Sequence, residues 1–207
     1  MEPGSSVRSA VCALTSAAVL LLGCGSSTTA STSTTASSVP AELLAQARPI
    51  GHGARFHPPA TGPVIGPCRS ALGPRIGVHV EVFAADRVVL VARGIGTRPP
   101  LTYSAGRISH ARCYGDLATL EPTGVVLVRR GARRTLGELF RSWGQPLTDR
   151  RVASFSAAPG KRVEVFVDGR RRGGRPGGVP LSAHSEIVLE VGPHVPPHSS
   201  YAFPPGS

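Results

Sequence analysis

Four side chains in the middle of this sequence are of the kinds that ligate metals or move protons: His79, Glu81, His110 and Asp116. His79 and Glu81 stand two apart, a spacing that puts both on one face of a β-strand. Imidazole with carboxylate is a donor pair that zinc-like ions accept. Two ligands do not complete a site, and a solvated strand face accounts for the same pattern. Convergence of all four residues would give an enzyme or a metal-binding protein, the alternative reading of this chain. His194 and His198 have the spacing of a helix face, but Pro193, Pro196 and Pro197 forbid a helix there. The run from Arg170 to Gly178 is cationic and glycine-rich, and Arg170, Arg171, Arg172 and Arg175 are the candidate anion-binding residues. No helix N-terminus follows to make it a P-loop, so a solvated hairpin tip is the plainer reading. There is no Gly-x-Ser-x-Gly elbow, no His-Glu-x-x-His and no recognisable carboxylate pair. The chain therefore reads as a binding or scaffolding module, not an enzyme, with no catalytic residue, resident metal or cofactor called for.

The elements that would position these residues are short. Val78, Val80 and Val82 alternate with His79, Glu81 and Phe83, the period of a half-buried strand. Ala84 to Asp86 turn the chain, and Arg87 to Val91 return as a second strand. Val163-Glu164-Val165-Phe166 repeats Val80-Glu81-Val82-Phe83, with Arg170 and Arg87 each four residues beyond the Phe; in the later copy Asp168-Gly169 is a strong hairpin signal. Gly124 to Arg129 and Ser185 to Val191 are further strands. Thr135-Leu136-Gly137-Glu138 fits a capping box. Leu136, Leu139, Phe140 and Trp143 follow at helical spacing, and Gly144 and Pro146 end the helix. Trp143, the only Trp, reads as a core anchor. The expected fold is α+β: a small, mostly antiparallel sheet built from two related β-hairpins, with one helix at about 135–144 packed on it.

The N-terminal region addresses location. Ala10 to Leu22 is apolar but falls short of the roughly 20 residues a membrane-spanning helix needs, and it suits a signal peptide. It closes on Leu21-Leu22-Gly23-Cys24, followed by a Ser/Thr-rich tract. This arrangement resembles the lipobox of bacterial lipoprotein precursors. The resemblance implies cleavage between Gly23 and Cys24 and a diacylglyceryl group, with palmitate, on the Cys24 thiol. Cys12 would leave with the signal peptide. The expected organisation is a signal peptide over 1–23, then the lipidated Cys and a solvated tether over 24–38. A Pro/Gly-rich lead-in over 39–67 follows, with a short helix from Val39 to Arg48, and the α+β domain occupies 68–207. Segment 1–23 holds one acid, Glu2, and one base, Arg8, so its loss leaves the formal charge of +11 unchanged. A lipid-anchored cation of this kind is drawn to anionic headgroups. The expected partners are the membrane, through the anchor, and an anionic lipid or envelope glycan; nucleic acid is not expected.

On the extracytoplasmic face of a membrane an even pair of cysteines reads as a disulfide, so Cys68 and Cys113 are expected to pair. Closing that loop stabilises by about 4 kcal/mol in the chain-entropy model. A thiolate metal site with His110 is the rival, but it lacks close Cys pairs. Several segments between Cys68 and Phe203 also resemble a family of uncharacterised exported proteins of actinobacteria. They are the Val78–Phe83 strand between the cysteines, Arg93-Gly94-Ile95-Gly96, Thr123-Gly124-Val125-Val126, and Thr135 to Phe140 with Trp143-Gly144-Gln145-Pro146-Leu147. Members of that family tend to carry a His-x-His-x-His run on the first strand and His-Thr-His-Asp after the second Cys. Here only His79 stands on the strand and Tyr114-Gly115-Asp116 follows Cys113, so the resemblance implies a scaffold and no activity.

Overall fold

The computed structural model describes residues 47–203. The signal segment, Cys24, the tether and all but the last two residues of the Val39–Arg48 helix lie outside the described residues. Among the described residues no helix is long and apolar enough to cross a membrane.

Strands dominate. In chain order they are β1 (Arg75–Ala84), β2 (Arg87–Val88), β3 (Thr97–Ser104), β4 (Arg107–Tyr114), β5 (Leu117–Ala118) and β6 (Val125–Arg129). One helix, α1 (Leu136–Trp143), follows. Then come β7 (Leu147–Thr148), β8 (Arg151–Val152), β9 (Phe155–Ser156), β10 (Glu164–Val167), β11 (Arg170–Arg171), a 3₁₀ turn at Pro176–Gly178, and β12 (Glu186–Val191). The main sheet runs β11-β10-β12-β1-β6-β5, with β2 also paired to β1, while β3–β4 and β7–β8–β9 form two smaller sheets.

The fold is α+β with mostly antiparallel pairing, but its centre differs from the expected pair of hairpins. β1 and β12 are parallel, His79 opposite Glu186 and Phe83 opposite Glu190. The turns back at β1–β2 and β10–β11 are present, each with a two-residue return arm, and both central residues of the second turn, Asp168 and Gly169, have positive φ. The width of the sheet comes from β6, β12 and β10, and a long hairpin, β3–β4, stands where no strand was expected. Its Pro99-Pro100 pair interrupts the strand pattern and most of β3 is exposed, so its sequence carries no apolar alternation.

One face of the sheet is an apolar core. Val78, Val80 and Val82 of β1, Val126 and Val128 of β6, and Ile187 and Leu189 of β12 pack with Leu136, Leu139, Phe140 and Trp143 of α1. The helix starts in the expected capping box: Glu138 N donates to Thr135 Oγ1, and Thr135 N donates to Glu138 Oε2. Gly144 ends it in a left-handed conformation. Trp143 is fully buried, and its indole N–H donates to Pro58 O at 3.1 Å, so the segment before Cys68 packs on the helix. Ile65 is buried there as well.

The opposite face is also covered. Ile108, Ala111 and Tyr114 of β4 cluster with Leu127 of β6 and Ala118 of β5. Cys68 and Cys113 form the expected disulfide, with Cα atoms 5.3 Å apart. Beside that hairpin Asp116 accepts from Arg129 Nε at 3.0 Å and from Arg134 Nη2 at 2.5 Å, and Arg134 also holds Glu138. Arg75 is buried and donates to the carbonyls of Leu72, Gly115, Asp116 and Leu127. This network ties the hairpin, the sheet and the start of α1 together. Burial would raise Asp116, but the hydrogen bonds and charges of Arg134 and Arg129 outweigh it and hold the carboxyl below its ordinary range.

Two consequences follow for stability. Asp116→Ala leaves two arginines without their shared anion and is expected to cost about 3–5 kcal/mol by denaturant titration. Because the folded pKa is depressed, the contribution of Asp116 is full above the ordinary Asp range and is lost as pH falls through the lower folded value. Asp116→Asn should therefore flatten the acid limb of the stability curve; an unchanged acid limb would show that Asp116 is not the group responsible.

Candidate acid–histidine site

The covered second face of β1 carries His79, Glu81 and Phe83, and β12 sets Glu186, Val188 and Glu190 beside them. β10 adds Glu164 and Phe166 through its pairing with β12. Four of the chain's 12 acidic residues thus meet on one patch of sheet. The expectation that a solvated face accounts for His79 and Glu81 holds only in part: Glu81 stays partly exposed, but His79 is only 5% exposed and Glu186 opposite it only 1%. What removes them from water is segment 192–203, which lies over this patch. Tyr201 stacks on the His79 ring with centroids 3.7 Å apart, and Phe203 packs edge-on to Tyr201. His198 Nδ1 lies 2.6 Å from Glu81 Oε2, and His194 Nδ1 lies 2.8 Å from Glu190 Oε2. The prolines of this segment keep it extended, so each histidine reaches a different glutamate.

The His79 ring is fixed from both ends. Its Nε2 lies 2.9 Å from Thr123 O, and a carbonyl oxygen only accepts, so Nε2 carries the proton. Nδ1, the second ring nitrogen, faces Glu186 Oε2 at 2.7 Å. Gly124 makes the Thr123 carbonyl reachable: its φ is +81°, and a Cβ there would stand 2.6 Å from Val80 O and 2.8 Å from His79 Nε2. Glu186 is fixed through its backbone. Its N–H donates to Asp168 Oδ1 at 2.9 Å and its carbonyl accepts from Asp168 N at 2.8 Å, so the Asp168-Gly169 turn sets the position of β12.

Glu186 and Glu190 are buried in a chain with 23 Lys and Arg residues, yet among the described residues neither is ion-paired to one. Each has one carboxylate oxygen, Oε1, that is buried and has no hydrogen-bond partner among the described residues. Burial pushes both carboxyls up from the ordinary Glu range, against the pull of His79 on Glu186 and of His194 on Glu190. Burial also raises the Tyr201 hydroxyl, helped by the negative charges of Glu121, Glu186 and Glu81.

His79, Glu81, His110 and Asp116 do not converge into one cluster. His79 and Glu81 come together with Glu186, their ligand atoms all within 4.8 Å of one another. His110 is exposed on β4, and Asp116 is engaged by Arg129 and Arg134. No sequence motif singles out Glu186, Glu190, Thr123 or Tyr201 as site residues. The alternation Glu186-x-Val188-x-Glu190 did mark one strand face, but its neighbour is set by a parallel pairing that no local pattern encodes. The arginine run emerges as β11 and the loop after it. Arg170, Arg171, Arg172 and Arg175 are all exposed, and Arg171 Nη2 pairs with Glu164 at 2.8 Å. No family model, no curated protein and no solved structure matches the chain.

Gly124→Ala would force the His79 ring off the Thr123 carbonyl. The expected result is a shifted His79 side-chain ¹⁵N signal in NMR and a loss of about 1–3 kcal/mol from strain at positive φ together with the clash. Unchanged histidine spectra would show that the glycine does not set the ring.

Proposed function

We propose that this chain is a lipid-anchored extracytoplasmic binding or scaffolding module of the cell envelope. In this reading Cys24 carries the lipid after cleavage behind Gly23, segment 24–38 spaces the domain from the membrane, and the ordered domain presents a cationic surface. The observation that carries the binding reading is the arginine loop. Arg170, Arg172 and Arg175 are exposed at the edge of the sheet with no carboxylate among the described residues paired to them, beside one compensated cation, Arg171. Exposed, uncompensated guanidinium groups are suited to phosphate and carboxylate groups on lipid headgroups or envelope glycan. The Cys68–Cys113 disulfide is in keeping with an oxidising compartment. The domain's charge favours adsorption to an anionic surface at on the order of 1 kcal/mol per basic residue near it.

Two measurements test this reading. Metabolic labelling with palmitate should mark the wild-type chain and leave Cys24→Ser unlabelled; label on the variant would place the lipid elsewhere or refute the lipobox. A Cys24→Ala chain should bind phosphatidylglycerol-containing vesicles and release them as salt rises, whereas replacement of Arg170, Arg172 and Arg175 by Gln should weaken binding by tenfold or more. Equal binding to neutral phosphatidylcholine vesicles would contradict the electrostatic basis.

A further inference from the structure

We propose that His79, Glu81 and Glu186 form a binding site for a divalent zinc-type cation, with His198 as a positioning residue that orients Glu81. Three donor groups converge here, their ligand atoms mutually within 4.8 Å. One imidazole and two carboxylates make a donor set that zinc accepts, and three protein ligands leave a coordination position for water or a substrate oxygen.

The state of His79 makes the case specific. Nε2–H donates to the Thr123 carbonyl, which leaves Nδ1 with its lone pair pointing at a carboxylate oxygen 2.7 Å away. Two acceptors at that distance need a positive particle shared between them. A proton would satisfy Nδ1 and Oε2 and leave Glu186 Oε1 buried and unpartnered, as it stands. A metal ion at the meeting point of Nδ1 and the two carboxylates can engage Oε1 as well. A ligating histidine commonly donates its second ring N–H to a backbone carbonyl, which fixes tautomer and ring orientation. Thr123 O fills that role, and Gly124 gives it room.

The surroundings fit the same role. Among the described residues no arginine or lysine is ion-paired with Glu81 or Glu186, although the chain has cations in excess, so no basic side chain described here compensates the negative charge gathered at the site. Glu81 accepts from His198 at 2.6 Å, an outer contact that holds one carboxylate oxygen and leaves the other to turn inward. Tyr201 closes the site over the His79 ring. The neighbouring cluster of Glu164, Glu190 and His194 provides an internal comparison. There Glu164 is already taken by Arg171, and the His194 side chain is 56% exposed. The site requires neither the lipid anchor nor the arginine loop, so it stands or falls apart from the envelope-binding reading.

The test is calorimetric titration of ZnCl₂ into the detergent-solubilised full chain, made metal-free by chelation. Glu186→Gln, Glu81→Gln, His198→Ala and Glu164→Gln are run beside the wild type. The expected result is saturable zinc binding in the wild type that weakens at least 100-fold in Glu186→Gln. It should weaken about tenfold in His198→Ala, as for an outer-contact residue, and stay unchanged in Glu164→Gln. Glu81 is partly exposed, so Glu81→Gln gives the same answer if Glu186→Gln fails to fold by circular dichroism. Absence of saturable binding in the wild type overturns the proposal. So does binding that survives both Glu81→Gln and Glu186→Gln.

Discussion

The parallel pairing of β1 with β12 is the constraint on which the rest of the structure depends. It joins strands more than 100 residues apart and places both at the middle of the main sheet, where each is covered on two sides. Val78, Val80 and Val82 then have α1 and its tryptophan on one side. Of the intervening residues, His79 is forced into the interior on the other side and Glu81 is partly covered beside it. A strand at the edge of this sheet could have left them in water. At the centre they require partners, and β12 brings Glu186 as the residue directly opposite His79.

Covering the second face takes two pieces of chain. The disulfide-linked β3–β4 region closes the half over β5 and β6 with apolar contacts, anchored by the Asp116–Arg129–Arg134 network. Segment 192–203 closes the half over β1, β12 and β10, and it does so with histidines and aromatic rings. The two halves obey different chemistry. Where apolar residues face one another, burial is favourable in itself. Where glutamates are buried, each needs a proton, a histidine or a cation, because an isolated carboxylate is costly to remove from water. Among the described residues, arginines pair with Asp116 and with the partly exposed acids Glu121 and Glu164, while Glu186 and Glu190 are left to histidine. That division sets the acid–histidine patch apart from the Asp116 network and is the ground for the proposed cation site.

Much of the local structure was legible in the sequence. The capping box, the apolar stripe from Leu136 to Trp143 and the Gly144 stop define α1 because helix signals are contained within a dozen residues. The valine alternation of β1 and the Asp168-Gly169 turn were legible for the same reason. What was not legible lies in long-range pairing. The alternation in β1 is the same whether His79 and Glu81 meet water or a second layer, so it does not separate the two. The β3–β4 hairpin was hidden by Pro99-Pro100 and its exposed face. Residues 192–203 read as an irregular proline-rich stretch, and nothing in their sequence says which glutamates His194 and His198 will meet.

The central claim is that this folding pattern builds a cation site from His79, Glu81 and Glu186. An anomalous difference map at the zinc absorption edge, from crystals of the full chain grown with zinc, tests it most directly. The account predicts a peak about 2 Å from His79 Nδ1 and within bonding reach of both carboxylates. A map with no peak there, and with the His79–Glu186 contact unchanged, would contradict it.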